Sequence, residues 1–309
     1  MSLIDSLVAW SIPLTPRFVV GKVARRYIAG ETLDEAVATI QDLNRLGAMA
    51  TVDVLGEFIH AFEEAEATSR QYEAIQRAIV EHSLDSNVSV KLTALGLLID
   101  EERCTELVRH IARRAAERDN FVRIDMEDSP VTERTLAIVR RLRGEGLPVG
   151  AVLQAYLHRT ADDAAALGEE GIPVRLCKGI YKEPERIAYQ GREEIRDSFR
   201  RSLAALLRGK GRVAIATHDE VLVEDARSQV AAAAVPGERY EYQMLLGVRE
   251  WMRDQLLAAG ERVRIYVPFG TAWYGYSTRR LRENPQIAGH VFKALFGLDR
   301  AAKNGLRQS

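Results

Sequence analysis

Cysteine is scarce in this 309-residue chain, with Cys104 and Cys177 the only two. Thiols so far apart in sequence set no framework of bridges, which points to a reducing, intracellular setting. Charge of one sign is lacking too: the formal net charge is −1, without the clustered basic surplus that a nucleic-acid partner calls for. No run reaches the roughly 18 apolar residues of a membrane span. The start, Met1-Ser2-Leu3-Ile4-Asp5, has no basic segment ahead of its apolar residues, so neither export nor spanning is expected and the location expected is cytoplasmic. His218 has no second His or Cys nearby at ligand spacing, and no metal site is expected. No Gly-x-Gly-x-x-Gly follows a strand, so a dinucleotide needs another device to hold it. Gly209-Lys210-Gly211 reads as a turn, because the glycine spacing of a phosphate loop is missing.

What the chain does have is a repeating alternation. Eight short β-branched runs recur: Ala50–Asp53, Val88–Lys91, Val122–Asp125, Gly150–Gln154, Val174–Cys177, Val213–Thr217, Arg239–Gln243 and Val263–Tyr266. A helical pattern follows each, so the units are strand–helix pairs on a parallel sheet, and eight of them predict an α/β fold closed as a (β/α)8 TIM-type barrel. Residues 1–47 precede the first run and read as an N-terminal helical segment; residues 48–309 then form the barrel. Within the first segment Thr32-Leu33-Asp34-Glu35 is a capping box ahead of an apolar stripe at Leu33, Val37, Ile40, Leu43 and Leu46.

Nearly every run ends on a charged or hydrogen-bonding side chain: Asp53, Lys91, Asp125, Gln154, Arg175, Thr217 with His218 and Asp219, Gln243, and Tyr266. In barrels of this kind the strands aim such residues into one cavity at the C-terminal mouth, which makes an enzyme the better reading than a scaffold. Beyond the last run comes Tyr276-Ser277-Thr278-Arg279-Arg280-Leu281-Arg282-Glu283. Two adjacent forked guanidiniums suit a small carboxylate, and Glu283 lies one helical turn from both. A solvated, ion-paired helix face would show the same spacing. A lysine in a barrel mouth also suits Schiff-base chemistry, so a lyase acting through Lys91 or Lys178 and a non-catalytic carboxylate-binding barrel stay open.

Together these motifs resemble the proline dehydrogenase family. The resemblance rests on Val88-Ser89-Val90-Lys91-Leu92, Ile124-Asp125-Met126-Glu127-Asp128, Leu153-Gln154-Ala155-Tyr156, Arg175-Leu176-Cys177-Lys178-Gly179-Ile180-Tyr181, Ala216-Thr217-His218-Asp219, Tyr240-Glu241-Tyr242-Gln243-Met244-Leu245 and Tyr276-x-x-Arg279-Arg280-x-x-Glu283. Their order holds from the first strand to the last helix, about residues 48–290, and is that of the short, monofunctional bacterial form.

The resemblance implies a distorted barrel that holds FAD non-covalently and oxidises L-proline to Δ1-pyrroline-5-carboxylate. The expected acceptor is a membrane quinone, and a separate pyrroline-5-carboxylate dehydrogenase would complete the oxidation to glutamate. Carried over by motif, Arg279, Arg280 and Lys91 clamp the substrate carboxylate. Tyr266, Leu245 and Tyr276 close over the pyrrolidine ring, while Asp125 and Glu283 hold the basic residues. Arg175 lies near the reactive nitrogen of the flavin. Met126, Gln154, Lys178, Gly179, Ile180, Thr217, His218 and Gln243 contact FAD. The family usually has a small residue, most often Ala, at the position of Ile180, so the turn or the cofactor affinity is expected to shift. Quinone use would bring the protein to the inner face of the cytoplasmic membrane. Two stretches offer themselves: Leu3, Leu7, Trp10 and Phe18 beside Arg17, Lys22, Arg25 and Arg26, and Val291, Phe292, Leu295 and Phe296 beside Lys293 and Arg300. Packing on the barrel is the competing explanation for both.

Overall fold

In the computed structural model, residue 21 and residues 26–56 and 59–275 are described. Tyr276, Arg279, Arg280 and Glu283 lie outside the described residues, as do both amphipathic stretches apart from Arg26. Eight parallel strands close on themselves in sequence order: β1 (Met49–Val54), β2 (Ser86–Val90), β3 (Val122–Ile124), β4 (Val149–Gln154), β5 (Val174–Cys177), β6 (Val213–Ala216), β7 (Tyr240–Leu245) and β8 (Val263–Phe269). Closure is made by β1 against β8, in register from Met49 opposite Arg264 to Val54 opposite Phe269. The expected (β/α)8 barrel is therefore the fold.

Helix α1 (Leu33–Arg45) precedes the barrel. Between successive strands run α2 (Phe62–Glu81), α3 (Glu101–Ala116), α4 (Ser129–Gly144), α5 (Thr160–Glu169), α6 (Arg192–Arg208), α7 (Glu220–Ala232) and α8 (Glu250–Ala258). Their starts are written locally. Thr32 accepts the Glu35 N–H at 3.3 Å while Glu35 accepts the Thr32 N–H at 3.0 Å, which is the expected capping box. Asp100 caps α3 through the Arg103 N–H. Acidic first turns on α2, α3, α5 and α6 complement the helix dipole. Val37, Ile40 and Leu43 of the predicted stripe are buried, but Leu46 is 55 % exposed. The helix stops at Arg45, and Leu46 stands at its C-cap, beyond the last buried position of the stripe at Leu43.

Alternation along each strand divides the residues between two environments. Val52, Val88, Val90, Ile124, Leu176, Ile215, Ile265 and Val267 are buried in the apolar layer. The alternate positions, including Asp53, Ser89, Arg123, Asp125, Arg175, Gln243 and Arg264, are also buried, and hydrogen bonds join them across the barrel. Branched aliphatic layers usually fill such an interior. Here it is filled by charge and amide, and charged groups taken out of water need partners.

Candidate active site

Three strand ends meet at Lys91. Its ammonium donates to Asp53 Oδ2 at 2.5 Å and to the Tyr266 hydroxyl at 3.1 Å, and lies 3.7 Å from Asp125 Oδ2. Tyr266 also donates to Asp53 Oδ2. Behind them Tyr72, buried on α2, places its hydroxyl 2.8 Å from the Ser89 carbonyl and 3.1 Å from Asp53 Oδ1. Burial alone lowers a lysine pKa. Here Asp53, Tyr266 and Asp125 outweigh it, and the protonated form of Lys91 is held well above its ordinary range. Burial pushes the Asp53 carboxyl above its ordinary value, with the Lys91 charge and hydrogen bond opposing it.

Arg175 forms the second centre. Its Nη1 donates to Asp125 Oδ1 at 2.7 Å and lies 3.3 Å from Ser89 Oγ, and its Nε donates to Gln243 Oε1 at 2.5 Å. Ser89 in turn donates to Asp125 Oδ1 at 2.6 Å. The Gln243 amide is oriented by donating its Nε2 to Glu241, which Arg264 holds by a fork at 2.8 and 3.2 Å. Burial would raise the Glu241 carboxyl, but Arg264 outweighs it and brings the pKa to about 2. Deeper still, Arg123 donates to the Ala151 and Pro173 carbonyls at 2.9 and 2.8 Å. Gly150 makes this reach feasible: a Cβ there would lie 2.8 Å from the Arg123 guanidinium and 2.4 Å from the Pro173 carbonyl.

The rim comes from the loops after β3, β4, β5 and β6. Met126 is buried in the core, and Gln154 bridges two loops by donating to the Glu127 carbonyl at 2.9 Å and accepting the Ile180 N–H at 3.3 Å. Glu127 is fixed by the Thr93 N–H and hydroxyl. Gly179 has φ +113°, and a Cβ would lie 2.2 Å from the Tyr156 ring, so only glycine fits this turn. Lys178 donates to Asp219 at 3.2 Å, and Arg196 grips the same carboxylate at 2.7 and 3.0 Å. Thr217 accepts the Asp219 N–H, and His218 Nε2 accepts the Leu245 N–H at 2.9 Å. An accepting Nε2 assigns the ring proton to Nδ1. Ile180 is 49 % exposed.

Two observations say what this mouth can accept. On β6 the residues in register with Arg175 and Cys177 are Ala214 and Ala216, so that wall is methyl groups beside a buried guanidinium whose Nη2 has no hydrogen-bond partner among the described residues. A flat ring carrying hydrogen-bond acceptors fits such a wall. Secondly, Lys91 and Arg175 are balanced locally by Asp53 and Asp125. A further carboxylate bound here would need cations beyond these two.

A profile of the proline dehydrogenase family matches residues 36–293. The chain belongs to the proline dehydrogenase family. It is 38 % identical over 272 residues to proline dehydrogenase 1 of Bacillus subtilis subsp. natto, spanning 88 % of this chain and 90 % of that one. Against the proline dehydrogenase of Deinococcus radiodurans it is 35 % identical over 280 residues, with 88 % and 90 % covered. Among solved structures, the proline utilization A protein of Bdellovibrio bacteriovorus, inactivated by N-propargylglycine, superposes with a TM-score of 0.80 at 27 % identity. That match covers 85 % of this chain but 33 % of the other, so this chain spans about a third of that protein. As a proline dehydrogenase family member the chain is an oxidoreductase acting on a CH–NH group.

Within this proline dehydrogenase fold the described candidates group as follows. Lys91, Asp125, Arg175, Gln243 and Tyr266 share one hydrogen-bonded cluster, and Gln154 joins Ile180 on the rim. Thr217, His218, Lys178 and Leu245 are linked through Asp219 and the β7 backbone. Sequence reasoning left out of its site Tyr72, Ser89, Glu127, Arg196 and Glu241, which hold the cluster in place. Ser89 carried a signal, since it precedes Lys91 by two and so shares its face of β2. Tyr72 and Arg196 carried none, because each reaches the site from a helix that only the folded packing brings there.

Proposed function

We propose that the chain binds FAD non-covalently at the barrel mouth and oxidises L-proline to Δ1-pyrroline-5-carboxylate. The observation that supports this most is the pairing of a protonated Lys91 with a buried, partly unsatisfied Arg175 beside the bare β6 wall. Bound flavin supplies a two-electron acceptor for the hydride that leaves the carbon next to the amine. Arg175 would supply positive charge that favours a reduced, anionic ring, and Asp125 with Gln243 keep its guanidinium in one orientation. Gln154, Met126, the turn Lys178-Gly179-Ile180, Thr217, His218 and Gln243 contact the cofactor.

Lys91, kept charged by Asp53 and Tyr266, takes one side of the substrate carboxylate. Because the local charges already balance, Arg279 and Arg280 supply the excess that the carboxylate needs, and Glu283 steadies them. Tyr266, Leu245 and Tyr276 cover the pyrrolidine ring and exclude water. The amine gives up hydride only when neutral, so turnover rises with pH until the substrate amine is deprotonated. A Schiff-base lyase would need a neutral nucleophilic lysine. Lys91 and Lys178 are both ion-paired, and Lys91 is held protonated.

Electrons then pass to a membrane quinone, and a separate pyrroline-5-carboxylate dehydrogenase consumes the product. The test is spectroscopic. The purified protein should carry or take up FAD, absorb in the visible, and bleach on anaerobic addition of L-proline. A colourless protein that neither takes up FAD nor reduces a dye with proline would overturn the assignment. Reoxidation of the bleached protein by a soluble quinone, compared with oxygen, tests the acceptor.

A further inference from the structure

The opposite end of the barrel holds a cavity. Its volume is about 570 Å³, and its lining comes from the beginnings of all eight strands, from Met49 of β1 round to Arg262 before β8. Ala214 also belongs to the β6 wall described above; none of the other lining residues is assigned above to substrate or cofactor. The bottom of such a barrel ordinarily serves stability, and a packed apolar plug would serve that purpose best. This one is instead lined by five arginines: Arg118, Arg123, Arg212, Arg262 and Arg264. The lining also holds three carboxylates, Asp85, Asp119 and Glu241, and Glu117 lies 3.6 Å from Arg118, so the arginines still outnumber the nearby carboxylates by one.

The local pairing sharpens the imbalance. Glu241 is committed to Arg264 and to Gln243. Arg123, 5 % exposed, lies over the Phe121 ring at 4.8 Å and has only backbone carbonyls as hydrogen-bond partners, and its Nε has no hydrogen-bond partner among the described residues. Its pKa is brought down to about 9, by burial first and then by Arg175. The Nε of Arg262 is likewise buried without a hydrogen-bond partner among the described residues, where its Nη2 meets the Met49 sulfur at 3.5 Å. A buried guanidinium left in this state lacks the charge-assisted acceptor that its burial calls for.

We infer that this cavity is a binding site for a small molecule carrying several carboxylates. The class follows from the geometry. The cationic groups stand on the loops before β3, β6 and β8 and on β3 and β8 themselves, so they surround the cavity rather than converge on one point. Planar guanidinium forks match carboxylates two bonds at a time. Several carboxylates set apart on one frame can engage such a ring, whereas a compact tetrahedral anion reaches one part of it.

Citrate is the probe, titrated calorimetrically into the full-length, flavin-loaded protein against sodium chloride of matched ionic strength. The expected result is saturable binding at one site per chain. The double variant Arg212→Gln, Arg262→Gln removes two half-buried or exposed cations on the rim and leaves Arg123 and the fold in place. It should weaken citrate binding by about tenfold or more, the loss of charge-assisted partners, while proline-dependent dye reduction without citrate stays unchanged. No saturable heat, equal affinity in the double variant, or inorganic phosphate binding as tightly as citrate would each overturn the assignment.

Discussion

Tyr72 has one hydroxyl proton and two acceptors within reach, the Ser89 carbonyl and Asp53 Oδ1, and it also stands 3.4 Å from the Val54 N–H. Its pKa is pushed well above the ordinary range by burial and then by the Asp53 charge, so it serves as a fixed donor. Tyr72→Phe removes the single donor that Asp53 and the Ser89 carbonyl share and the acceptor that faces the Val54 N–H. A stability loss of about 1–3 kcal/mol is expected, read as a lower urea midpoint at unchanged slope. On the substrate side, Arg279→Met and Arg280→Met should each raise KM for proline and lower kcat/KM on the order of ten- to a hundredfold, with the flavin spectrum retained. A solvated ion pair would instead cost about 0–1 kcal/mol of stability and leave KM alone. Steady-state kinetics beside melting curves tells these apart; KM unchanged within about twofold in both variants removes the pair from the site.

Strand β4 shows how an element can be shaped by what it omits. Gly150 lies in register with Arg123 of β3, and the space its missing side chain leaves is where the guanidinium passes to reach the Pro173 carbonyl. Gly150→Ala brings a methyl against backbone and a buried cation at once. The expected cost is about 1–3 kcal/mol from overpacking, with more if Arg123 loses its carbonyls. A melting temperature equal to that of the parent would show that Arg123 has another route. The loop after β5 is likewise tied down from outside its own sequence: the His158 N–H donates to the Ile187 carbonyl and the Tyr189 N–H to that of Tyr156. Those two bonds tie the segment that follows the Lys178-Gly179-Ile180 turn to the loop after β4.

For the molecule as a whole, the charged interior sets its response to acid. Glu241 has a folded pKa of about 2 against an ordinary 4.5, and Asp219 is also lowered, because Arg196 and Lys178 outweigh its burial. A depressed carboxylate contributes stability above its unfolded pKa and loses it as pH falls through the folded value, from about pH 5 to about pH 2. Asp53, whose pKa is raised, acts with the opposite sign and offsets part of this. The melting temperature should therefore fall across that window, and less steeply in Glu241→Gln than in the parent. Parallel slopes would mean that Glu241 titrates normally. The many exposed Arg–Glu pairs, such as Arg141 with Glu102 and Arg140 with Glu170, add little, since water and salt screen them.

The sequence by itself determined the eight strands, their order and the polar residues at their C-terminal ends, because hydrophobic periodicity and strand–helix alternation are local properties. It also located the capping box at Thr32, where four consecutive residues contain both partners. What it could not specify were partners distant along the chain. Lys91 reads equally as a nucleophile or a carboxylate clamp until Asp53 and Tyr266 are seen to hold it, 38 and 175 residues away. The links from Glu241 through Gln243 to Arg175 likewise exist only once the barrel closes, as does the ring of arginines at its base. The physical reason is the same in each case: a side chain's charge state and orientation are set by burial and by neighbours across the barrel, and both are products of tertiary packing.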